Sequence, residues 1–130
     1  MSRPSLGGDP PAAAEDAFAA AARRIDGSVV GILRAGTSCG AGFVWRGGGL
    51  VVTAAHVAAA AGEIRVRTAD GREWAARPIG SDDVSDVALL RIDADPPPAP
   101  QAPADAVRRG DAVAAIGDPL GFSATLTVGH

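Results

Sequence analysis

The chain has 130 residues, which is enough for one ordinary domain and short for the larger β-barrels that fold as one unit. Apolar residues make up 47% of it and charged residues 21%, a balance typical of a globular core and not of a disordered chain. The net charge is −3 and no basic stripe is present, so nucleic-acid binding is not expected. No run of about 18 apolar residues occurs, and no membrane span is expected.

Residues 1–27 are predicted to form a polar tail followed by one short helix. The tail is rich in Gly and Pro and has no apolar stretch of the secretory type, so no signal peptide is visible. We expect the helix to run from about Pro11 to Arg24, because Asp9 can cap its start and Arg23 complements the dipole at its end.

Residues 28–94 are predicted to hold six short antiparallel strands, separated by tight turns such as Asp70-Gly71. Six short strands with tight turns indicate a small barrel or a sandwich. The expected strands are Val29–Leu33, Gly42–Trp45, Leu50–Thr53, Ile64–Thr68, Glu73–Ile79 and Val87–Ile92, with an Ala-rich helical turn at Ala54–Ala61.

Residues 95–109 begin with a Pro-rich run and are predicted to be an extended linker. Residues 110–130 contain two further strand-like segments, Asp111–Ile116 and Ala124–Val128. These two strands have few partners of their own, so they are expected to begin a second unit that is incomplete within the 130 residues.

Two segments carry residues that could perform chemistry. His56 stands where the third predicted strand turns into a helix, and Asp86 stands directly before the sixth. Either residue alone is most often structural, but a catalytic histidine needs a carboxylate on Nδ1 to fix its tautomer. Asp82 and Asp83 are rivals for this role. Asp86 is preferred because it leads into an apolar strand, where burial would strengthen its hold on the imidazole.

His56 and Asp86 belong to a set of six short stretches of the sequence. The stretches are Ser28–Ile32, Gly40–Val44, Val51–Val57, Asp70–Arg72, Ser85–Ile92 and Gly110–Gly121. In these stretches, and in their order, the sequence resembles the trypsin-like serine peptidases, and most of all their bacterial HtrA (Deg) branch. The resemblance extends from about residue 28 to residue 129. In animal trypsins a cysteine follows the histidine, whereas Val57 stands there in this chain, which favours the bacterial branch.

The resemblance implies an all-β fold: an antiparallel six-stranded trypsin-like barrel and the first strands of a second barrel, preceded here by the short helix. It implies His56 as the general base and Asp86 as its orienting carboxylate. In the family the second barrel supplies the serine nucleophile, the oxyanion hole and the specificity pocket. A polypeptide substrate and no cofactor are implied, and relatives are usually periplasmic or secreted.

The sequence departs from the family at the nucleophile. The family's serine lies in a Gly-Asn/Asp-Ser-Gly-Gly turn, and the 130 residues contain no such motif. Ser123 is the nearest mimic, but Ala124 and Thr125 replace both following glycines. Cys39 could be a replacement nucleophile, although a half-exposed structural thiol is the commoner role. One cysteine and two histidines are too few for a zinc site, so no metal is expected.

Two classes of function are compatible with these residues. The first is the N-terminal portion of an HtrA-type serine endopeptidase that carries His56 and Asp86, lacks the nucleophile and is inactive alone. The second is a non-catalytic peptide-binding or scaffold module derived from such a peptidase, or one chain of a split enzyme. In either case the barrel face that would meet a second barrel is expected to favour self-association.

Overall fold

A computed structural model describes residues 12–59, 62–111, 113–117 and 125–129. The predicted polar tail, Ser123 and His130 lie outside the described residues. The first described element is helix α1, Ala12–Ile25, which ends in a 3₁₀ turn at Asp26–Ser28. Its alanines have the highest intrinsic helix propensity, and the predicted helix is confirmed. Among the described helices, none has the length and apolar character needed to cross a membrane.

Six antiparallel strands close into a barrel. The strands are β1 (Val29–Arg34), β2 (Thr37–Arg46), β3 (Leu50–Thr53), β4 (Ile64–Arg67), β5 (Glu73–Asp82) and β6 (Val87–Ile92). Their spatial order around the barrel is β1-β2-β3-β6-β5-β4. A single turn of helix, α2 (Ala55–Ala58), connects the third strand to the fourth. The predicted all-β, six-stranded antiparallel barrel with a short N-terminal helix is therefore confirmed.

The barrel interior is filled by side chains that alternate with outward-facing ones along the strands, as the pleat requires. Nearly all of them are β-branched, a side-chain type that packs well on a pleated surface. The half-buried side chain of Trp74 packs against this core. The buried members of this core are Val30, Ile32, Val44, Val51, Ile64, Val66, Leu90 and Ile92.

Two strands are longer than predicted by three residues or more, and one helix is shorter. β2 begins at Thr37, because the two-residue turn Ala35-Gly36 folds a polar, Gly-containing stretch back onto buried β1. β5 continues to Asp82, since its second half pairs with β6 through a bulge after Pro78. α2 covers only Ala55–Ala58 of the predicted Ala54–Ala61.

The Pro-rich segment after the barrel has no helix or strand before Ala104, and it is bonded to the barrel surface at several points. The Ser28 hydroxyl donates to the Pro97 carbonyl over 2.7 Å, and the Ala99 N–H donates to Val44 over 2.8 Å. Farther along, the Gln101 side-chain amide donates to the Trp45 carbonyl over 3.1 Å. The segment therefore follows a fixed course across the barrel and does not hang free.

Beyond this segment and a 3₁₀ turn at Ala104–Ala106, strands β7 (Val113–Gly117) and β8 (Thr125–Gly129) form an antiparallel two-stranded sheet. The two predicted strands are present, each shifted by one or two residues. β7 lies against β1 and β2 of the barrel. The division of the chain into a first barrel, a linker and the start of a second barrel stays a prediction.

Candidate active site

The pairing of β3 with β6 brings His56 and Asp86 to the same end of the barrel. Thr53, the last residue of β3, lies opposite Ala88 of β6. His56 follows Thr53 by three residues, and Asp86 precedes Ala88 by two, so antiparallel register places them side by side. The Thr53 hydroxyl also donates to the Ala41 carbonyl over 2.8 Å, which fixes the end of β3 to β2.

Three hydrogen bonds join Asp86 to the start of α2. The Ala55 N–H donates to the Asp86 carbonyl over 3.1 Å, and the His56 N–H donates to Asp86 Oδ1 over 2.8 Å. The third bond joins His56 Nδ1 to Asp86 Oδ2 over 2.6 Å. An ionised carboxylate can only accept, so Nδ1 carries the proton and Nε2 is the basic nitrogen of the ring.

Both side chains of the pair lie at the surface of the barrel. The imidazole of His56 is 74% exposed and the Asp86 side chain is 47% exposed. The expectation that burial strengthens the hold of Asp86 on the ring is therefore wrong for this structure. The Asp86 carboxylate lies at the end of the barrel and not within the core, so hydrogen bonds, and not burial, keep it in contact with the His56 imidazole.

The same hydrogen bonds set the ionisation of Asp86. The backbone N–H of His56, and after it the imidazole, lowers the pKa of the Asp86 carboxyl from its usual range. Hydrogen bonds to the charged form of a carboxylate favour that form. Asp86 is therefore ionised at neutral pH and can stabilise positive charge on the neighbouring ring.

Asp86 adopts an unusual backbone conformation, with φ of 58° in the left-handed region. Aspartate is one of the few non-glycine residues that enters this region readily. The conformation turns the chain sharply before β6, so both the carbonyl and the carboxylate of Asp86 face α2.

The rival acids do not take this position. The carboxylate of Asp82 accepts the Val84 N–H over 3.0 Å, which is a local turn contact. Asp83 is an exposed residue of the same turn. Of the three acids, Asp86 is the one that bonds His56.

An apolar cleft of about 470 Å³ opens beside Asp86 and Thr53. It lies where α1, the barrel, the Pro-rich segment and β7 meet, and Phe43 stands in it 39% exposed. Sequence analysis did not identify this cleft, because its walls come from elements far apart in the chain and have no local pattern. Its apolar lining includes Ile25, Val29, Phe43, Val52, Pro100 and Ile116.

The remaining candidates have less support from the structure. Cys39 is an exposed free thiol on β2. Ser123 falls outside the described residues. Within residues 12–59, 62–111, 113–117 and 125–129, no three His, Cys, Asp or Glu side chains gather in a way that could hold a metal ion.

Comparison with known proteins agrees with this fold. Residues 40–130 match the family model described as trypsin-like peptidase domain. The match covers more than half of the chain, so the protein belongs to the trypsin-like peptidase family.

Within that family the chain is similar to the HtrA/Deg branch, which confirms the resemblance found in the sequence. It is 43% identical over 93 residues to a probable periplasmic serine endoprotease DegP-like of Hahella chejuensis, covering 71% of this chain and 20% of that protein. A protein of the same description from Pseudomonas fluorescens is 44% identical over 97 residues, 74% of this chain and 20% of the relative. Protease Do-like 1, chloroplastic, of Arabidopsis thaliana is 39% identical over 109 residues, 82% of this chain and 25% of the relative. The chain thus spans a fifth to a quarter of the length of these relatives.

Proposed function

We propose that His56 and Asp86 form the general-base half of a serine endopeptidase active site. The observation that carries this proposal is the 2.6 Å contact between His56 Nδ1 and Asp86 Oδ2. A carboxylate in this position fixes the tautomer and the orientation of the ring. The imidazole is 74% exposed, so its Nε2 is accessible to a serine hydroxyl from a neighbouring segment.

In the proposed reaction, His56 removes the proton of the serine as the serine oxygen attacks the scissile carbonyl of a polypeptide. His56 then returns this proton to the leaving amine, and an acyl-enzyme remains that water hydrolyses. Asp86 stabilises the imidazolium during both transfers. General acid–base catalysis of this kind contributes typically about 10² to 10⁴ in rate. No step requires a cofactor.

The nucleophile and the oxyanion hole are proposed to come from outside the 130 residues, because these residues contain no Gly-x-Ser-Gly-Gly segment. Residues 28–94 would be the first barrel, 95–109 the connection and 110–130 the start of the second barrel. The cleft beside Asp86 supports this arrangement, since its apolar lining offers a surface against which a second barrel could pack. The substrates would be extended or unfolded polypeptides.

A chimera tests the proposal directly. The segment of the Hahella chejuensis relative that aligns with this chain is replaced by the chain, and hydrolysis of an unfolded protein substrate is measured. We expect activity that falls at least about 10³-fold in His56→Ala and Asp86→Asn variants, as removal of a triad member does. Asp83→Asn is the matched control in the same loop and should retain activity. A folded chimera whose activity survives His56→Ala would contradict the proposal.

The 130-residue chain by itself is expected not to react with a serine-directed fluorophosphonate probe, because none of its serines stands in a Gly-x-Ser-Gly-Gly motif. Stoichiometric labelling that disappears in His56→Ala would show that the nucleophile is already present. Translation of the DNA beyond the His130 codon tests whether the nucleophilic serine is encoded in the same polypeptide or has to come from a second chain. A Gly-x-Ser-Gly-Gly segment there places it in the same polypeptide, and its absence favours a second chain or a non-catalytic binding module.

A further inference from the structure

Arg34, the last residue of β1, binds the C-terminal end of α2, whereas Asp86 binds its N-terminal end. Its Nη2 donates to the carbonyls of Ala58 over 2.8 Å and Val57 over 3.1 Å. Its Nη1 donates to the Gly62 carbonyl over 2.7 Å. One guanidinium therefore binds three carbonyls of the segment that follows His56, between one and six residues after it in the chain.

α2 needs such support because it is a single turn. A helix of four residues has too few internal hydrogen bonds to be stable alone, and its last carbonyls lack partners within the helix. Asp86 satisfies N–H groups at its start, and Arg34 satisfies carbonyls at its end. The negative charge of Asp86 lies at the N-terminal end of α2 and the positive charge of Arg34 at its C-terminal end, which is the arrangement that the helix dipole favours.

We propose that Arg34 is a positioning residue: it holds the turn that carries His56, so that the imidazole meets the Asp86 carboxylate in register. That this positioning matters for catalysis rests on the proposed function. That Arg34 holds the turn rests on its hydrogen bonds from β1 to the carbonyls of α2. Arg34 acts through the backbone and touches neither the imidazole nor the reacting atoms.

A guanidinium suits this task better than an ammonium. Its planar fork presents donors in fixed directions and can serve several carbonyls at once, whereas a lysine donates from one point on a flexible stem. Arg91 provides a matched comparison within the barrel. Its Nη1 donates over 3.0 Å to the Gly48 carbonyl alone, in the turn that precedes β3 and thus at the other end of that strand.

The test uses nuclear magnetic resonance on the 130-residue chain. The sequence has two histidines, His56 and His130, so a His56→Ala variant assigns the ring signals without ambiguity. In the unaltered chain we expect a low-field Nδ1–H proton for His56 and slow exchange of its backbone amide, since both groups donate to Asp86. In Arg34→Met we expect the low-field signal to be lost and amide exchange at His56 to rise about tenfold or more.

Arg34→Lys is expected to give an intermediate result, and Arg91→Met should leave both signals unchanged. Circular dichroism and the melting temperature establish that each variant is folded. If Arg34→Met does not fold, Arg34→Lys decides: unchanged His56 signals in that folded variant overturn the proposal. Unchanged signals in a folded Arg34→Met variant overturn it as well.

These signals report the geometry of the His56–Asp86 pair and need no peptidase activity. A folded but inactive chimera together with a clear response to Arg34→Met would overturn the proposed function and leave the positioning role intact. An active chimera together with unchanged His56 signals would overturn the positioning role alone.

Discussion

The six-stranded barrel and the two-stranded sheet of β7 and β8 differ in how their strands are completed. Every barrel strand has a hydrogen-bonded neighbour on both sides, so the barrel has no free edge. Within the described residues, β7 and β8 pair only with each other. The barrel encloses a buried core, whereas Val113 of β7 is 45% exposed. The comparison indicates that the barrel carries most of the stability, because an isolated two-stranded hairpin is marginal in water.

Core truncation should show the largest difference between the two regions. Leu90→Ala empties a fully buried site in the barrel and should lower the free energy of unfolding by about 2–5 kcal/mol. Ile116→Ala in β7 removes a half-buried side chain and should cost about 1 kcal/mol or less. Urea unfolding followed by tryptophan fluorescence measures how much each variant destabilises the barrel, since Trp45 and Trp74 lie on barrel strands. A loss for Ile116→Ala as large as that for Leu90→Ala would contradict the view that the barrel carries most of the stability.

A smaller effect is expected where α2 packs on the barrel wall. A Cβ at Gly40 would lie 2.9 Å from the methyl groups of Val57, too close for normal packing. Gly40→Ala should therefore cost about 1–3 kcal/mol and shift the His56 signals, and Val57→Ala should relieve part of that cost in the double variant. Gly80→Ala in β5 is the control, because no atom lies within 4 Å of a Cβ there. Strict additivity of Gly40→Ala and Val57→Ala would show that the two residues do not meet.

Within the described residues β7 and β8 each have one unpaired edge, and these edges predict self-association of the chain. Unpaired strand edges and exposed apolar side chains favour pairing between molecules. Light scattering should show a mass that rises with protein concentration, and Val113→Lys should reduce this rise. Lys at a surface position of the barrel, for example Ile79→Lys on β5, serves as the control. A monodisperse monomer at high concentration would show that these edges are covered.

The smallest expected effect is acid sensitivity of the barrel through Asp86. Its pKa is lowered in the folded chain by the His56 N–H and imidazole, so its contribution to stability is present above the usual aspartate value of about 3.9. The contribution is lost as the pH falls through the lower, folded pKa. The melting temperature of Asp86→Asn should therefore depend less on pH below about 4 than that of the unaltered chain. Asp83→Asn is the control, and identical pH profiles for all three proteins would contradict the prediction.

The barrel could be predicted from sequence where strands carry their own signal. β3 and β6 have the predicted bounds, because their largely apolar runs are bounded by clear turns. The first half of β2 could not be predicted: Thr37 to Ala41 is polar and Gly-containing, and it becomes a strand because β1 pairs with it. Local propensity does not contain that information.

The site was predictable to a similar extent. His56 and Asp86 were identified from local motifs, and the structure brings them into contact, while their catalytic role stays a prediction. The half-exposed state of Asp86 and its left-handed backbone had no sequence signal. Arg34 had none either, because an arginine at a strand end resembles any solvated charge. Its acceptors lie 23 to 28 residues away in the chain.

The bonded course of the Pro-rich segment has a consequence for how β7 reaches the barrel. Because the segment is held as far as Gln101, only about half of the chain between β6 and β7 remains to be ordered when β7 docks on β1 and β2. Loop-closure entropy grows with the logarithm of the loop length, so halving the free length lowers its cost by about 0.6 kcal/mol. This saving in free energy is small relative to the stability of the barrel, but it is comparable to the net contribution of a single hydrogen bond. The Ser28 hydroxyl thus influences, through the Pro97 carbonyl, a contact made by a strand that begins 85 residues later.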